Sequence, residues 1–315
     1  MPKHNMLTVR PQRIADTEHS QMNGDGFGKK SDAASGPRPT GFSLFRPGQP
    51  VPRLPATLAQ DTGRAMFLAP PVLPLVNPDR VWESLSPVVL NADHLAGNGL
   101  FPNSNSNPAT AAFDMLRTRI LQAMEVRGWK RLAVTSPTHG CGKSFVATNL
   151  ALSLSRMSAC RAVLMDMELR NPGLAGLLGL ANAGPIRDFL TGEQPLESHF
   201  RRLGRNLALA LNGEAEADAA ELLQDPTTAQ ALDAMLEQLD PDVAIYDLPP
   251  ALGGDDVIAL LPQVDAVLLV ADGTRTTAED VRACERLFDG RIPLMGVVLN
   301  RSQDRGQARY RYGKK

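Results

Sequence analysis

From residue 108 onward the apolar positions keep two alternating rhythms. Phe113, Leu116, Ile120 and Met124 recur at helical spacing and predict a helix over 111–126. The apolar run from Leu132 to Val134 predicts a short strand over 131–136, and the Ala-, Leu- and Ser-rich stretch 142–157 predicts a second helix. Further short apolar runs predict strands over 161–166, 243–247, 266–271 and 294–300, with helical spacing over 281–288. Strands alternating with helices imply an α/β fold. Its mostly parallel sheet carries helices on both faces and binds ligand at the C-terminal ends of the strands. No internal repeat is visible.

Ahead of residue 105 neither rhythm holds. Pro and Gly break every apolar stretch, as in Gly36-Pro37-Arg38-Pro39, Arg46-Pro47-Gly48-Gln49-Pro50 and Ala69-Pro70-Pro71. Such a segment sustains no periodic face, so 1–105 reads as a largely disordered arm. Trp82 and residues 88–95 are the one place where a short docked element is expected. A turn signal, Asn103-Ser104-Asn105-Ser106-Asn107-Pro108, then leads into a domain spanning 106–302, followed by a basic, tyrosine-containing tail over 303–315.

Composition narrows the classes. With 43% hydrophobic and 21% charged residues the chain can bury an ordinary core. A net charge of −1 gives no overall basic field, so nucleic acid is not an expected partner. Cys141, Cys160 and Cys284 lie far apart without a C-x-x-C pair and read as reduced thiols of a cytoplasmic protein. The N-terminus, Met1-Pro2-Lys3-His4-Asn5, lacks the apolar core of a secretory signal, and no apolar run is long enough to span a bilayer. Work at a membrane would then require a partner that holds the chain at its inner face.

Three motifs carry chemistry. The first, Ser136-Pro137-Thr138-His139-Gly140-Cys141-Gly142-Lys143-Ser144, lies between a predicted strand and a predicted helix. A triphosphate needs closely spaced backbone N–H groups, the positive end of a helix, a mobile cation and a hydroxyl for Mg²⁺. Gly140 and Gly142 let the backbone close in, with Thr138, His139 and Cys141 contributing to the loop. Lys143 is the cation and Ser144 the hydroxyl. The first glycine of G-x-x-x-x-G-K-[ST] is Pro137 here. The second motif runs through Asp166-Met167-Glu168-Leu169-Arg170, where carboxylates at i and i+2 on a strand end point to one side. The third, Val243-Ala244-Ile245-Tyr246-Asp247 before Pro249-Pro250, ends a buried strand in a carboxylate that needs a metal or a cation nearby. In combination they specify a P-loop NTPase that binds a nucleoside triphosphate with Mg²⁺, ATP in the family named next.

From about residue 111 to 302 the chain resembles the bacterial tyrosine kinases (BY-kinases, CpsD/CapB type) of capsule and exopolysaccharide biosynthesis, relatives of the MinD/ParA ATPases. The resemblance rests on Phe113-Asp114-Met115-Leu116-Arg117-Thr118, the phosphate loop, Asp166 to Pro172, Glu221-Leu222-Leu223, Asp247 to Pro250, and Gly296 to Arg301. It implies that Lys143 holds the β- and γ-phosphates, that Ser144 ligates Mg²⁺, and that Asp247 and Glu168 hold magnesium-bound waters. It implies Asp166 as the base toward a tyrosine hydroxyl and Asn300 as the residue that reads adenine. Catalysis would rest on Lys143, Asp166 and Asp247. The implied activity is autophosphorylation that regulates polysaccharide polymerisation and export, with a membrane-embedded co-polymerase as activator. Self-association is also implied, although Ala111, Asp114 and Arg117 stand where the family's ring-forming E-x-x-R-x-x-R retains only its last arginine. Of three tyrosines in the chain, Tyr310 and Tyr312 fall in the last six residues, a placement expected of phosphoacceptors, the alternative being a basic, aromatic tail that touches anionic lipid or another subunit. A MinD/ParA-like positioning ATPase and a nucleotide-binding adaptor without kinase activity share the same motifs. The former carries an extra lysine early in the loop, and Pro137-Thr138-His139 has none.

Overall fold

A computed structural model describes residues 8–10, 77–103 and 108–302. Tyr310 and Tyr312, and most of the expected N-terminal arm, lie outside the described residues. The chain enters through a short strand β1 (Thr8–Arg10), then helix α1 (Pro78–Ser84), strand β2 (Ser86–Val88) and helix α2 (Ala92–Gly97). Helix α3 (Pro108–Arg127) leads into β3 (Arg131–Thr135), α4 (Lys143–Ser155) and β4 (Ala162–Asp166). Three short helices follow, α5 (Leu174–Leu178), α6 (Arg187–Leu190) and α7 (Leu196–His199), and then β5 (Arg201–Leu203) and β6 (Leu207–Ala210). The remainder is α8 (Ala219–Gln224), α9 (Pro226–Leu239), β7 (Val243–Asp247), α10 (Asp256–Leu260), β8 (Ala266–Asp272), α11 (Ala278–Phe288) and β9 (Leu294–Asn300).

All nine strands join one sheet in the order β1-β9-β8-β3-β7-β4-β6-β5-β2. The six strands from β9 to β6 run parallel, while β1 pairs antiparallel with β9 and β5 antiparallel with β6. The strand period of two divides their side chains between two cores. Ala133, Val163, Met165, Tyr246, Val267 and Leu269 join one core with α1, α9, α10 and α11. Leu132, Val134, Leu164, Ile245, Leu268 and Val270 join the other with α2, α3, α4 and α5. Helices therefore cover both faces, which is why the central strands are apolar throughout instead of alternating with polar residues. The expected α/β architecture is present.

Packed structure begins well ahead of the boundary expected near 105. Asn77 caps α1 by accepting from the Asp79 amide, and Trp82 donates its indole N–H to the Leu239 carbonyl at 2.7 Å. That bond occupies a carbonyl the C-terminus of α9 would otherwise leave open. The Arg161 guanidinium lies 5.6 Å over the Trp82 ring and pairs with Asp79. Leu85, Leu95 and Leu100 are buried, and β2 extends the sheet parallel to β5. The docked element expected around Trp82 is thus larger than its sequence signal, because its anchors are isolated residues without a period.

Arg117 on α3 faces α4. It donates to the Ser153 carbonyl at 2.8 Å and lies 3.2 Å from Asp114, which also pairs with Arg156. The arginine retained from the ring motif is therefore used inside the chain.

Candidate active site

Strand β3 ends at Thr135, and the chain passes through 136–142 into α4. Gly142 (φ +89°) is the N-cap of α4 and Gly140 has φ +76°, a backbone region that L-residues avoid. The loop is tied on one side to the segment after β7: the Ala251 amide donates to the Ser136 carbonyl at 2.7 Å, and the Leu252 amide to that of Pro137 at 3.2 Å. Thr138, His139 and Gly140 are exposed. Cys141 is buried, its sulfur 3.6 Å from the hydroxyls of both Thr138 and Thr276. Burial alone would push its thiol up, but those hydroxyls leave it lowered overall.

Strands β4 and β7 are neighbours in the sheet, and Asp166 and Asp247 are register partners at their ends. Asp166, Glu168 and Asp247 are 0%, 6% and 1% exposed, so three carboxylates crowd together out of water. Lys143 faces them from the first turn of α4. Its ammonium pairs with Glu168 and donates to the Ser144 hydroxyl at 3.2 Å. Burial would lower the lysine's pKa, but attraction from Asp247, Glu168 and Asp166 raises it, so it stays charged.

One cation does not neutralise three carboxylates. Asp166 is pushed up to about 7, first by burial and then by Asp247, although the amides of Gly173 (3.1 Å) and Leu174 (2.9 Å) donate to its Oδ2. Asp247 is pushed up to about 6 by burial, with Lys143 and Ser144 pulling the other way. Among the described residues, neither Asp247 oxygen and only one Asp166 oxygen makes a hydrogen bond of good geometry. Such orphaned anionic oxygens beside a hydroxyl fit a hydrated Mg²⁺, which keeps several waters and takes few protein ligands. No group of three His, Cys, Asp or Glu among the described residues forms a complete metal cage, and Mg²⁺ bound with phosphates does not use one. A cavity of about 100 Å³ opens alongside, lined by His139, Glu168, Arg170, Pro249, Pro250 and Gly253. Arg170 at its edge forms a two-pronged pair with Asp256 of α10.

Asn300, at the end of β9, is 1% exposed. Its amide nitrogen donates to the Cys141 carbonyl at 2.9 Å and its oxygen accepts from the Arg301 amide. Both ends of the side chain are thus engaged within the protein, and it acts on the phosphate loop. Three neighbours to which the sequence motifs assign no role join it: Asp272, Arg275 and Arg301. The guanidinia of Arg275 and Arg301 both donate to the Gly140 carbonyl, at 3.0 and 2.7 Å, and both meet Asp272. Asp272 ends β8 as Asp247 ends β7, a signal available in the Ala271-Asp272-Gly273 step.

A family model described as ParA, NUBPL iron-transfer P-loop NTPase, matches residues 129–308, more than half of the chain. A putative tyrosine-protein kinase, EpsB of Ralstonia solanacearum, is 30% identical over 209 residues, covering 66% of this chain. The chain spans 27% of that relative's length. The kinase domain of VpsO superposes with a TM-score of 0.55 at 29% identity, covering 61% of this chain and 95% of that one. The kinase domain of the Escherichia coli tyrosine kinase ETK gives 0.58 at 26% identity, covering 66% and 82%. The chain belongs to the ParA family of P-loop NTPases, and its matched domain is similar in sequence and fold to bacterial tyrosine kinase domains.

Proposed function

We propose that this chain is an ATP-dependent protein tyrosine kinase that phosphorylates itself and regulates exopolysaccharide or capsule polymerisation and export. The observation that carries the reading is Lys143 at the start of α4, facing three buried carboxylates at the ends of two adjacent parallel strands. Lys143 leaves Glu168 to neutralise the β- and γ-phosphates, and Ser144, Glu168 and Asp247 hold the hydrated Mg²⁺. That ion, when bound, offsets phosphate charge and keeps the transferred group in line. Asp166, with a free oxygen and its pKa pushed up to about 7, takes the phenolic proton in its carboxylate form as the tyrosine oxygen bonds to the γ-phosphorus and the bond to ADP breaks. The small cavity between His139 and Pro250 is where the acceptor ring approaches.

Acceptor choice follows from burial. Tyr246 is fully buried, and burial pushes its phenol well above the ordinary range. Of the chain's own three tyrosines, Tyr310 and Tyr312 are then the acceptors. A membrane-embedded polysaccharide co-polymerase is the partner that the resemblance supports. No helix among the described residues is long and apolar enough to cross a membrane. In this reading that partner recruits the chain to the inner face. Arg117 turned toward Ser153 argues for self-association through surfaces other than the family's ring helix.

The test is phosphotyrosine mass spectrometry after incubation with MgATP, with and without the membrane partner, for wild type and Lys143→Met. Modification of Tyr310 or Tyr312 in wild type alone is the expected result. ATP hydrolysis with no phosphotyrosine under either condition refutes the kinase reading in favour of a positioning ATPase.

A further inference from the structure

We propose that Arg275 and Arg301, anchored on Asp272, form with Asn300 a clamp on the outer side of the phosphate loop that presets its amides for nucleotide phosphates. The inference rests on the nucleotide-binding part of the proposed function and concerns how that binding is made favourable.

Two consecutive peptide units of the loop have their carbonyls held from outside. The Gly140 carbonyl accepts from Arg275 and from Arg301, and the Cys141 carbonyl accepts from Asn300. In a trans peptide the N–H points opposite to the C=O. Fixing the Gly140 carbonyl outward therefore fixes the Cys141 N–H inward, and the Asn300 bond does the same for the Gly142 N–H. Donation to a carbonyl, by cationic donors above all, also polarises the peptide and strengthens its N–H as a donor.

The anchoring is deliberate in physical terms. Asp272 is 0% exposed, and its Oδ1 accepts from the Thr274 amide and hydroxyl at 2.8 and 2.6 Å. Its Oδ2 takes Arg275 Nε at 3.2 Å and Arg301 Nη1 at 2.6 Å. The two arginine side chains stay 62% and 42% exposed, so packing does not account for them. The glycines complete the fit. A Cβ on Gly140 would fall 2.9 Å from Arg275 Nη2, and one on Gly142 would fall 2.2 Å from Asn300 Nδ2.

A loop with Pro137 at its first glycine position has one amide fewer to offer. Its remaining freedom sits at Gly140 and Gly142, both left-handed, and an unheld loop would have to be ordered by the ligand. The clamp orders it beforehand, and preorganisation of this kind raises affinity without a new contact to the ligand.

The experiment compares wild type, Arg275→Gln with Arg301→Gln, and Arg275→Lys with Arg301→Lys in the full chain. ADP affinity is measured by calorimetry, exchange of the Cys141 and Gly142 amides by hydrogen–deuterium exchange, and KM against kcat for ATP. The double Gln variant should bind ADP about 10- to 100-fold more weakly, the loss of one or two charged hydrogen bonds. Its loop amides should exchange faster without nucleotide, while kcat at saturation changes less than about 3-fold. The double Lys variant keeps the charge but lacks the fork with which Arg275 spans Gly140 and Asp272, so a large part of the loss should persist. Wild-type affinity and exchange in the Gln variant, or full recovery in the Lys variant, would overturn the clamp. A wild-type protein that binds no ADP would refute the nucleotide reading, and loop-amide exchange would still decide the clamp by itself.

Discussion

Replacing Asp166 with Asn should make the nucleotide-free protein more stable at pH 8 while disabling it. The native carboxyl is held at about 7 against an ordinary 3.8. Between those two values the native state keeps a proton that the unfolded chain has released, so wild-type stability falls as pH rises through the window and levels off above it. Three units correspond to a ceiling of about 4 kcal/mol for this residue. Asn keeps an acceptor for the Gly173 and Leu174 amides and turns a donor toward Asp247 without a charge. A gain of roughly 1–3 kcal/mol at pH 8 is the expectation, shrinking as pH falls through the window toward about 4, below which the native and the unfolded wild type both carry the proton. Urea unfolding of both proteins from pH 5 to 8 without nucleotide reads this directly. Some slope should remain in the variant, because Asp247 is still held at about 6. Loss of the base should slow phosphoryl transfer by about 10²- to 10⁴-fold. A variant less stable than wild type at pH 8, or a difference that does not depend on pH, would refute the assignment of strain to this carboxyl.

Asp247→Asn should raise the Mg²⁺ concentration needed for half-maximal rate several-fold; coincident Mg²⁺ titrations for variant and wild type would remove Asp247 from the metal shell. Trp82→Ala should cost about 3–5 kcal/mol in urea unfolding, since it empties a buried indole site and frees the Leu239 carbonyl. A loss under about 1 kcal/mol would mean that α1 is only loosely docked. Tyr310→Phe combined with Tyr312→Phe should abolish self-phosphorylation without changing ADP affinity, and phosphotyrosine persisting in that variant would point to Tyr246 becoming exposed.

What the sequence carried plainly was everything with a period or a tight motif. The five central strands over 131–136, 161–166, 243–247, 266–271 and 294–300 are all present within a residue or two, because each is carried by an apolar run, buried on both faces in all but β9, where burial alternates. Strand β6, Leu207-Ala-Leu-Ala210, gave no such signal: it is four residues long and has no β-branched side chain. The Lys143–carboxylate centre was legible since each of its members sits at a strand end or a helix start. The roles of Arg275 and Arg301 were not, because their common target is the Gly140 carbonyl, and main-chain acceptors leave no mark in a sequence. The same holds for Trp82, whose partner is the carbonyl of a residue 157 positions away.

The division of strand side chains between two cores has an optical consequence. The chain has two tryptophans, and they report on opposite faces of the sheet. Trp82 is buried in the core that includes α9 and α11, while Trp129 packs against the core that includes α3 and α4, with Arg127 4.8 Å from its ring centre. Single-tryptophan variants therefore turn each face into its own fluorophore. Emission from Trp129 follows the layer that carries the phosphate-loop helix, and emission from Trp82 follows the layer that holds α1, α9 and α11. Coincident melting of the two signals would show that a sheet one strand thick couples both layers into a single cooperative unit. Separated transitions would locate the weaker layer and show whether the nucleotide-binding side can persist after the other has opened.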